Sequence, residues 1–193
     1  MAKKPFKPEM SLAFISKHNG IARALTTHVH IGGIIAPGEA AGFKKGAPVF
    51  NAIWDTGATN TVITGKVVAA MGLFPVGIVK THTVSGVLDA NVYIASIFLP
   101  NRVAIPNVQV TEGNLAGADV LIGMDIITQG DFAVSNRHGQ TWFTFRIPSL
   151  QRFNFLDVPV QTSGRCSCGS GKEYPNCCGK NPQTGFKFAS KLP

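Results

Sequence analysis

From residue 24 to residue 148 the chain is a succession of short β-branched and apolar runs. Gly, Pro, Asn or Ser cuts off most of them before they reach helical length. Strands are expected over 26–34, 47–54, 61–65, 78–84, 91–99, 103–110, 118–123, 132–135 and 141–147. Ser85-Gly86 reads as a hairpin turn, and 136–140 as a second one. Pro106 has no amide proton for a ladder, so it marks an edge strand or a break. Only 66–71, closed by Gly72 and Pro75, and a turn over 125–130 read as helical. Such a pattern predicts a small closed or sandwich-like β domain. No internal repeat is present.

The ends have a different texture. Residues 1–20 mix Lys, Pro and Phe without a sustained period, and are expected to be a loosely ordered arm. Pro148 and the polar stretch near 161–164 separate the β body from a Cys-rich tail. The expected division is therefore an arm over 1–23, a body over 24–150, a linker over 151–163, a Cys-rich motif over 164–180 and a tail over 181–193.

Net charge is +8, and all of the excess lies on the ends. Residues 1–25 carry five Lys or Arg against one acid, and residues 151–193 carry six against two. The middle has seven of each. Basic ends of this kind contact nucleic acid, acidic proteins or anionic lipid, or simply keep a chain soluble. No basic patch interleaved with aromatics is present, so nucleic acid is not an expected partner. No apolar run approaches the roughly 20 residues of a membrane span. The basic start at Lys3 and Lys4 is followed by no apolar core or small-residue cleavage site, so a cytoplasmic location is expected.

Asp55-Thr56-Gly57-Ala58 follows the apolar pair Ile53-Trp54 and occurs once. Two close carboxylates sharing one proton can hydrolyse a peptide without metal or covalent nucleophile: one activates water while the other polarises the carbonyl. Each must sit on a rigid loop at a strand end. Gly57 allows close approach of backbone there, and the Thr56 hydroxyl can anchor the turn. An isolated Asp at such a place also serves as a simple turn or capping residue.

The stretch 53–59 resembles the active-site signature of retropepsin-like aspartic peptidases. Ala118-Asp119-Val120-Leu121-Ile122-Gly123-Met124-Asp125-Ile126 resembles their second signature, and the likeness spans roughly 24–148. It implies a mainly β fold, a small closed β-barrel of the retropepsin-like acid protease type with one or two short helices. It implies Asp55 as catalytic aspartate, Thr56 as the residue tying two loops across a two-fold axis, and Gly57 as backbone close to substrate. Ala58 would lie in the substrate cleft, and Val84, Ser85 and Gly86 would form a mobile flap over bound peptide. Many retroviral members carry an Asp two residues after the Gly, paired with an Arg in the second signature. Here Thr59 and Met124 replace both, so no charge is stranded. Ala58 offers no hydroxyl to the carboxylate, and activity nearer neutral pH is expected. Asp119, Asp125 and Asp131 lack the Asp-Thr-Gly context, with Asp125 read as a helix- or turn-start residue. One aspartate per chain then implies a homodimer with the site on its two-fold axis.

All four cysteines, Cys166, Cys168, Cys177 and Cys178, lie within 13 residues and flank a Gly-rich turn. Four thiolates so spaced can close around one tetrahedral zinc ion, and two disulfides or free thiols are the alternatives. The segment is similar to the SEC-C motif, a short zinc-binding tail on the SecA translocase and many unrelated bacterial proteins. That likeness implies a structural zinc and docking toward a chaperone, ribosome or membrane surface. His28 and His30 alternate along a strand, but no third ligand accompanies them. The sequence thus points to a bacterial-type aspartic endopeptidase acting on peptides or proteins, with no cofactor in its chemistry. The other reading is a non-catalytic peptide- or partner-binding module recruited through its tail.

Overall fold

A computed structural model describes residues 11–39, 42, 46–83, 86–154, 163–166 and 170–180, without the side chains of His82, Thr83 and Cys178. The chain divides into two compact units, residues 1–151 and 152–193. The first unit is mainly β with two short helices. Its strands are β1 (Leu12–Lys17), β2 (Leu25–Gly32), β3 (Phe50–Trp54), β4 (Val62–Ile63), β5 (Gly77–Thr83), β6 (Gly86–Phe98), β7 (Ala104–Glu112), β8 (Val120–Ile122), β9 (Asp131–Ser135) and β10 (Trp142–Ile147). The helices are α1 (Gly65–Met71), which Gly72 ends in the left-handed conformation, and α2 (Met124–Ile127).

Seven strands pair in the order β2-β3-β8-β4-β7-β6-β5, and a further β2–β6 pairing joins six of them into a ring. Period-two alternation explains which faces turn inward. In β2, Thr27, Val29 and Ile31 are buried, while Thr26 and His28 are exposed. The same ladder carries Phe50, Ala52 and Trp54 on β3 into the core. Pro106 lies in β7 where the β6–β7 register slips between Ala95 and Ile97, and Asn107 takes a positive φ of 54°. The bulge accommodates a residue that cannot donate.

The three remaining strands form the sheet β1-β10-β9. Residues 12–17 are therefore a paired strand and not part of a loosely ordered arm. The cause lies in partners far along the chain. Phe14 is 6% exposed, with its ring centroid 5.8 Å from Trp54 and 6.0 Å from Phe143. Trp54 also stacks on Phe132 at 5.6 Å and contacts Phe145 at 5.2 Å. Its indole N–H donates to the Thr27 hydroxyl at 3.0 Å. Aromatic pairs contribute roughly 0.5–1.5 kcal/mol each beyond their area. This cluster clamps the residue immediately before Asp55.

Asp131 and Arg146 face each other across β9 and β10 and form an ion pair. Burial opposes ionisation of Asp131. The Leu150 amide, the Ser149 hydroxyl and the Arg146 guanidinium outweigh it and hold the carboxyl well below the usual carboxylate range. Its contribution to stability is thus fully present above the unfolded-state value of about 4 and fades as pH falls below it. Asp131→Asn is expected to cost about 2–3 kcal/mol near pH 7, less than a fully buried pair because Arg146 is 26% exposed. Urea unfolding should show the gap between wild type and variant narrowing as pH drops below about 4. A gap that widens in acid contradicts this assignment.

Candidate active site

Asp55 stands at the end of β3, where its own amide donates to Ile122 O of the parallel strand β8 at 3.0 Å. The loop then folds back on the carboxylate. The Gly57 amide donates to Asp55 Oδ1 at 2.8 Å, and the Ala58 amide donates to Asp55 O at 3.3 Å. A Cβ on Gly57 would sit 3.1 Å from that same Oδ1, so glycine keeps this approach open. Asp55 and Ala58 are partly exposed, and Thr56 and Gly57 are exposed.

Beneath this loop runs the start of α2. β8 lies between β3 and β4, so the residues after it pass under the turn that joins those two strands. Met124 N–H donates to Ala58 O at 2.8 Å, and Asp125 N–H to Thr59 O at 3.1 Å. Asp125 accepts the Thr61 amide on Oδ2 at 2.9 Å, and the Thr61 hydroxyl and Ile126 amide on Oδ1 at 2.8 and 3.0 Å. Thr61 is fully buried, and its hydroxyl accepts the Gly123 amide at 3.2 Å. Asp125 is therefore a first-turn helix residue that pins the loop, as its position suggested. Thr59 and Met124 are thus each tied into this crossing through backbone, Thr59 to Asp125 and Met124 to Ala58, with the Met124 side chain packed against the core.

The other acids lie elsewhere. Asp119 accepts the Asn51 amide at the opposite end of β3, and pairs with Lys66 at 2.8 Å. The Lys66 hydrogen bond, against burial and with help from Asn51, lowers its pKa. Asp131 is held by Arg146, Ser149 and Leu150.

A cleft of about 1030 Å³ opens beside the loop, walled by Gly57 and Ala58, by Val79 and Thr81 of β5, and by Glu112 and Asp125. Val84 and Ser85, the expected flap tip, lie outside the described residues; Gly86 opens β6 at φ 122°. The Thr61–Asp125 clamp and Glu112 are site features that sequence reasoning did not single out. The clamp joins residues 64 positions apart and carries no local signal.

The tail unit closes a small hairpin. Arg165 and Glu173 bridge antiparallel, Cys166 N–H donates to Lys172 O at 2.7 Å, and Tyr174 N–H donates to Gly164 O at 2.6 Å. Cys166 is buried, and Cys177 is half-buried with its sulfur 3.1 Å from Ser170 Oγ. Cys168 and the Cys178 side chain lie outside the described residues. Among the described residues no group of three or more metal-ligating side chains occurs, and no helix is long and apolar enough to cross a membrane. His28 is exposed, and His30 Nδ1 lies 2.9 Å from Pro48 O.

With this geometry in place, residues 40–126, a little under half of the chain, match the model of a family described as aspartyl protease. The match takes in both the Asp55 loop and the Gly123–Ile126 segment beneath it. Among solved structures, the chain is similar to a retropepsin-like aspartic protease from Rickettsia conorii, with 11% identity over 74% of this chain and 99% of that one, and a TM-score of 0.46. It is also similar to EIAV protease complexed with the inhibitor HBY-793, with 17% identity over 57% and 90% of the two chains and a TM-score of 0.40. A third, Simian Foamy Virus (mac) protease, has 17% identity over 53% and 91%, with a TM-score of 0.37. Likenesses at these scores assign no role to any residue. No curated protein matches the chain.

Gly123 has an ordinary backbone conformation, φ −94°, yet a Cβ there would fall 2.6 Å from Asn60 C and O. The obstacle is backbone and cannot rotate away. Gly123→Ala is therefore expected to cost about 3 kcal/mol or more in chemical denaturation. A loss under about 1 kcal/mol would mean that the loop is free to lift.

Proposed function

We propose that the chain is a retropepsin-like aspartic endopeptidase that works as a homodimer. The observation that carries this reading is the isolation of Asp55. Its carboxylate stands on a partly exposed loop with one oxygen fixed by Gly57, while Asp119, Asp125 and Asp131 are each held in hydrogen bonds of their own. The second carboxylate of an acid–base pair then comes from another copy, across a two-fold axis. The exposed Thr56 would face that axis.

In this arrangement the two Asp55 side chains hold one proton between them, since like charges so close do not both ionise. The ionised carboxylate takes a proton from water as its oxygen adds to the peptide carbonyl carbon. The protonated one gives its proton to the carbonyl oxygen. As the resulting gem-diol collapses and the C–N bond breaks, one diol hydroxyl returns its proton to the ionised member of the pair, while the leaving nitrogen takes the proton of the other. Ala58 and Gly57 wall the adjoining cleft, and the segment over Val84, Ser85 and Gly86 would close over the peptide.

The tail is proposed to hold one structural Zn²⁺ through Cys166, Cys168, Cys177 and Cys178. An all-sulfur donor set suits zinc and leaves no site for a reactive water. The buried Cys166 thiol beside a hairpin held by one bridge fits a segment too small for a core of its own. Zinc would order the tail, and the tail would dock the enzyme on a chaperone, ribosome or membrane surface in the cytoplasm. That docking would raise the local concentration of substrate.

Asp55→Asn is expected to abolish cleavage of an unfolded protein substrate, by about 10⁴-fold or more, while circular dichroism and the denaturation midpoint stay near wild type. Turnover within about tenfold of wild type sinks the peptidase reading. Elemental analysis of protein purified without chelator should find one zinc per chain. Chelation should raise amide exchange over 164–180 while leaving 11–150 protected. Zinc-free protein with a protected tail would rule out the metal.

A further inference from the structure

Two carboxylates, Glu112 and Asp125, line the cleft beside the Asp55 loop, and neither has an ion partner among the described residues. Glu112 ends β7 and lines the cleft. Its Oε2 accepts the Tyr93 hydroxyl at 2.8 Å and the Asn91 amide at 3.0 Å. Tyr93 is 3% exposed, and burial, then its bond to Glu112, pushes the phenol's pKa up, so it stays a neutral donor. Both donors engage the same oxygen. Oε1 rests against Gly65, where even a Cβ would come within 3.1 Å of it.

Two described cations near the cleft have carboxylate partners of their own. Lys80, on the β5 wall of the cleft, pairs with Asp89 at 3.1 Å, and Lys66 of α1 pairs with Asp119 at 2.8 Å. The other carboxylate of the cleft, Asp125, has both oxygens occupied by Thr61 and Ile126. Glu112 is oriented by neutral groups through one oxygen, and its Oε1 accepts no hydrogen bond among the described residues. An apolar substrate side chain placed there would strip water from it without replacing the lost contacts, and an acidic one would be repelled. A cationic one would supply a charge-assisted hydrogen bond.

We infer that Glu112 is a specificity-determining residue that receives the basic side chain, Lys or Arg, of a peptide substrate. This rests on the peptidase reading above and names the substrate class that reading leaves open. The orientation of Glu112 comes from β6 and its place in the cleft from β7, so it is built by elements other than the Asp55 loop.

The test uses N-acetylated, C-amidated peptides, which carry no terminal ammonium, in matched pairs with Arg or its neutral isostere citrulline at each position flanking the cleaved bond. At one position wild type should favour Arg over citrulline by about tenfold or more in kcat/KM. In Glu112→Gln, which keeps the shape and the acceptor for Tyr93 and Asn91, that ratio should fall to about one. Because only the ratio is read, a general loss of activity cancels. A ratio near one at every position in wild type, or an unchanged ratio in the variant, overturns the inference while leaving the peptidase reading intact. If no peptide is cleaved in an Asp55-dependent way, the peptidase reading fails by itself. Binding of the same pairs to the full-length Asp55→Asn protein then decides the role of Glu112. Arg peptides must bind about tenfold tighter and lose that margin when Glu112→Gln is added. Equal binding of both members of every pair overturns the inference.

Discussion

Three consecutive residues, Gly123, Met124 and Asp125, pass beneath the Asp55 loop, and the remaining geometry of the site depends on that crossing. Two of the bonds that hold it run from amides of the α2 start to carbonyls of the loop, Met124 to Ala58 and Asp125 to Thr59. A third link is the Asp125 carboxylate on the buried Thr61, which also ties back to the Gly123 amide. Each end of the loop is thus anchored by a different group. Glycine at 123 is the condition for contact this close, because any Cβ would strike the Asn60 backbone. The loop that presents Asp55 is therefore rigid from below and open above.

The division of acids follows from the same arrangement. The middle of the chain carries as many acids as bases, but they are not evenly matched in space. Asp119 with Lys66, Asp89 with Lys80 and Asp131 with Arg146 form pairs, and Asp125 is used up by hydrogen bonds. What remains at the cleft is Asp55, with one oxygen bonded to Gly57, and Glu112, with one oxygen bonded to Tyr93 and Asn91. The pairs and clamps stabilise the scaffold. Two carboxylates without an ion pair among the described residues, Asp55 and Glu112, thus stand beside or on the wall of the cleft.

Most strands were legible because their residues alternate on a half-buried sheet, and period two survives even in runs of five. The helix at Gly65–Met71 was legible from its terminal Gly72. β1 was not, because one inward aromatic, Phe14, makes no period. It becomes a strand only through Phe143, Phe145 and Trp54, which lie far along the chain. The same limit hid the clamp and the Glu112 cluster. Asn91 and Tyr93 share a face of β6 by simple alternation, but which residue of β7 meets them depends on the slip opposite Pro106. A bulge displaces register by one residue, and no pattern within either strand records it. The turn that carries Asp55, by contrast, was legible, because the Gly57 and Ala58 amides that fold back on it are its neighbours in sequence.

Separating the scaffold from the chemistry has a physical consequence for how such a site evolves and assembles. The bonds that hold the Asp55 loop from below run to Ile122, Met124 and Asp125 of its own chain, a scaffold that would let the loop form before a second copy arrives. Association would then cost little in ordering at the centre of the site, where preorganised groups are worth most. The free energy of pairing two copies can come from surfaces remote from Asp55. On the proposed dimeric mechanism, a lone carboxylate on a prebuilt loop would be harmless in a monomer and reactive only opposite its twin, and concentration itself would then control proteolysis.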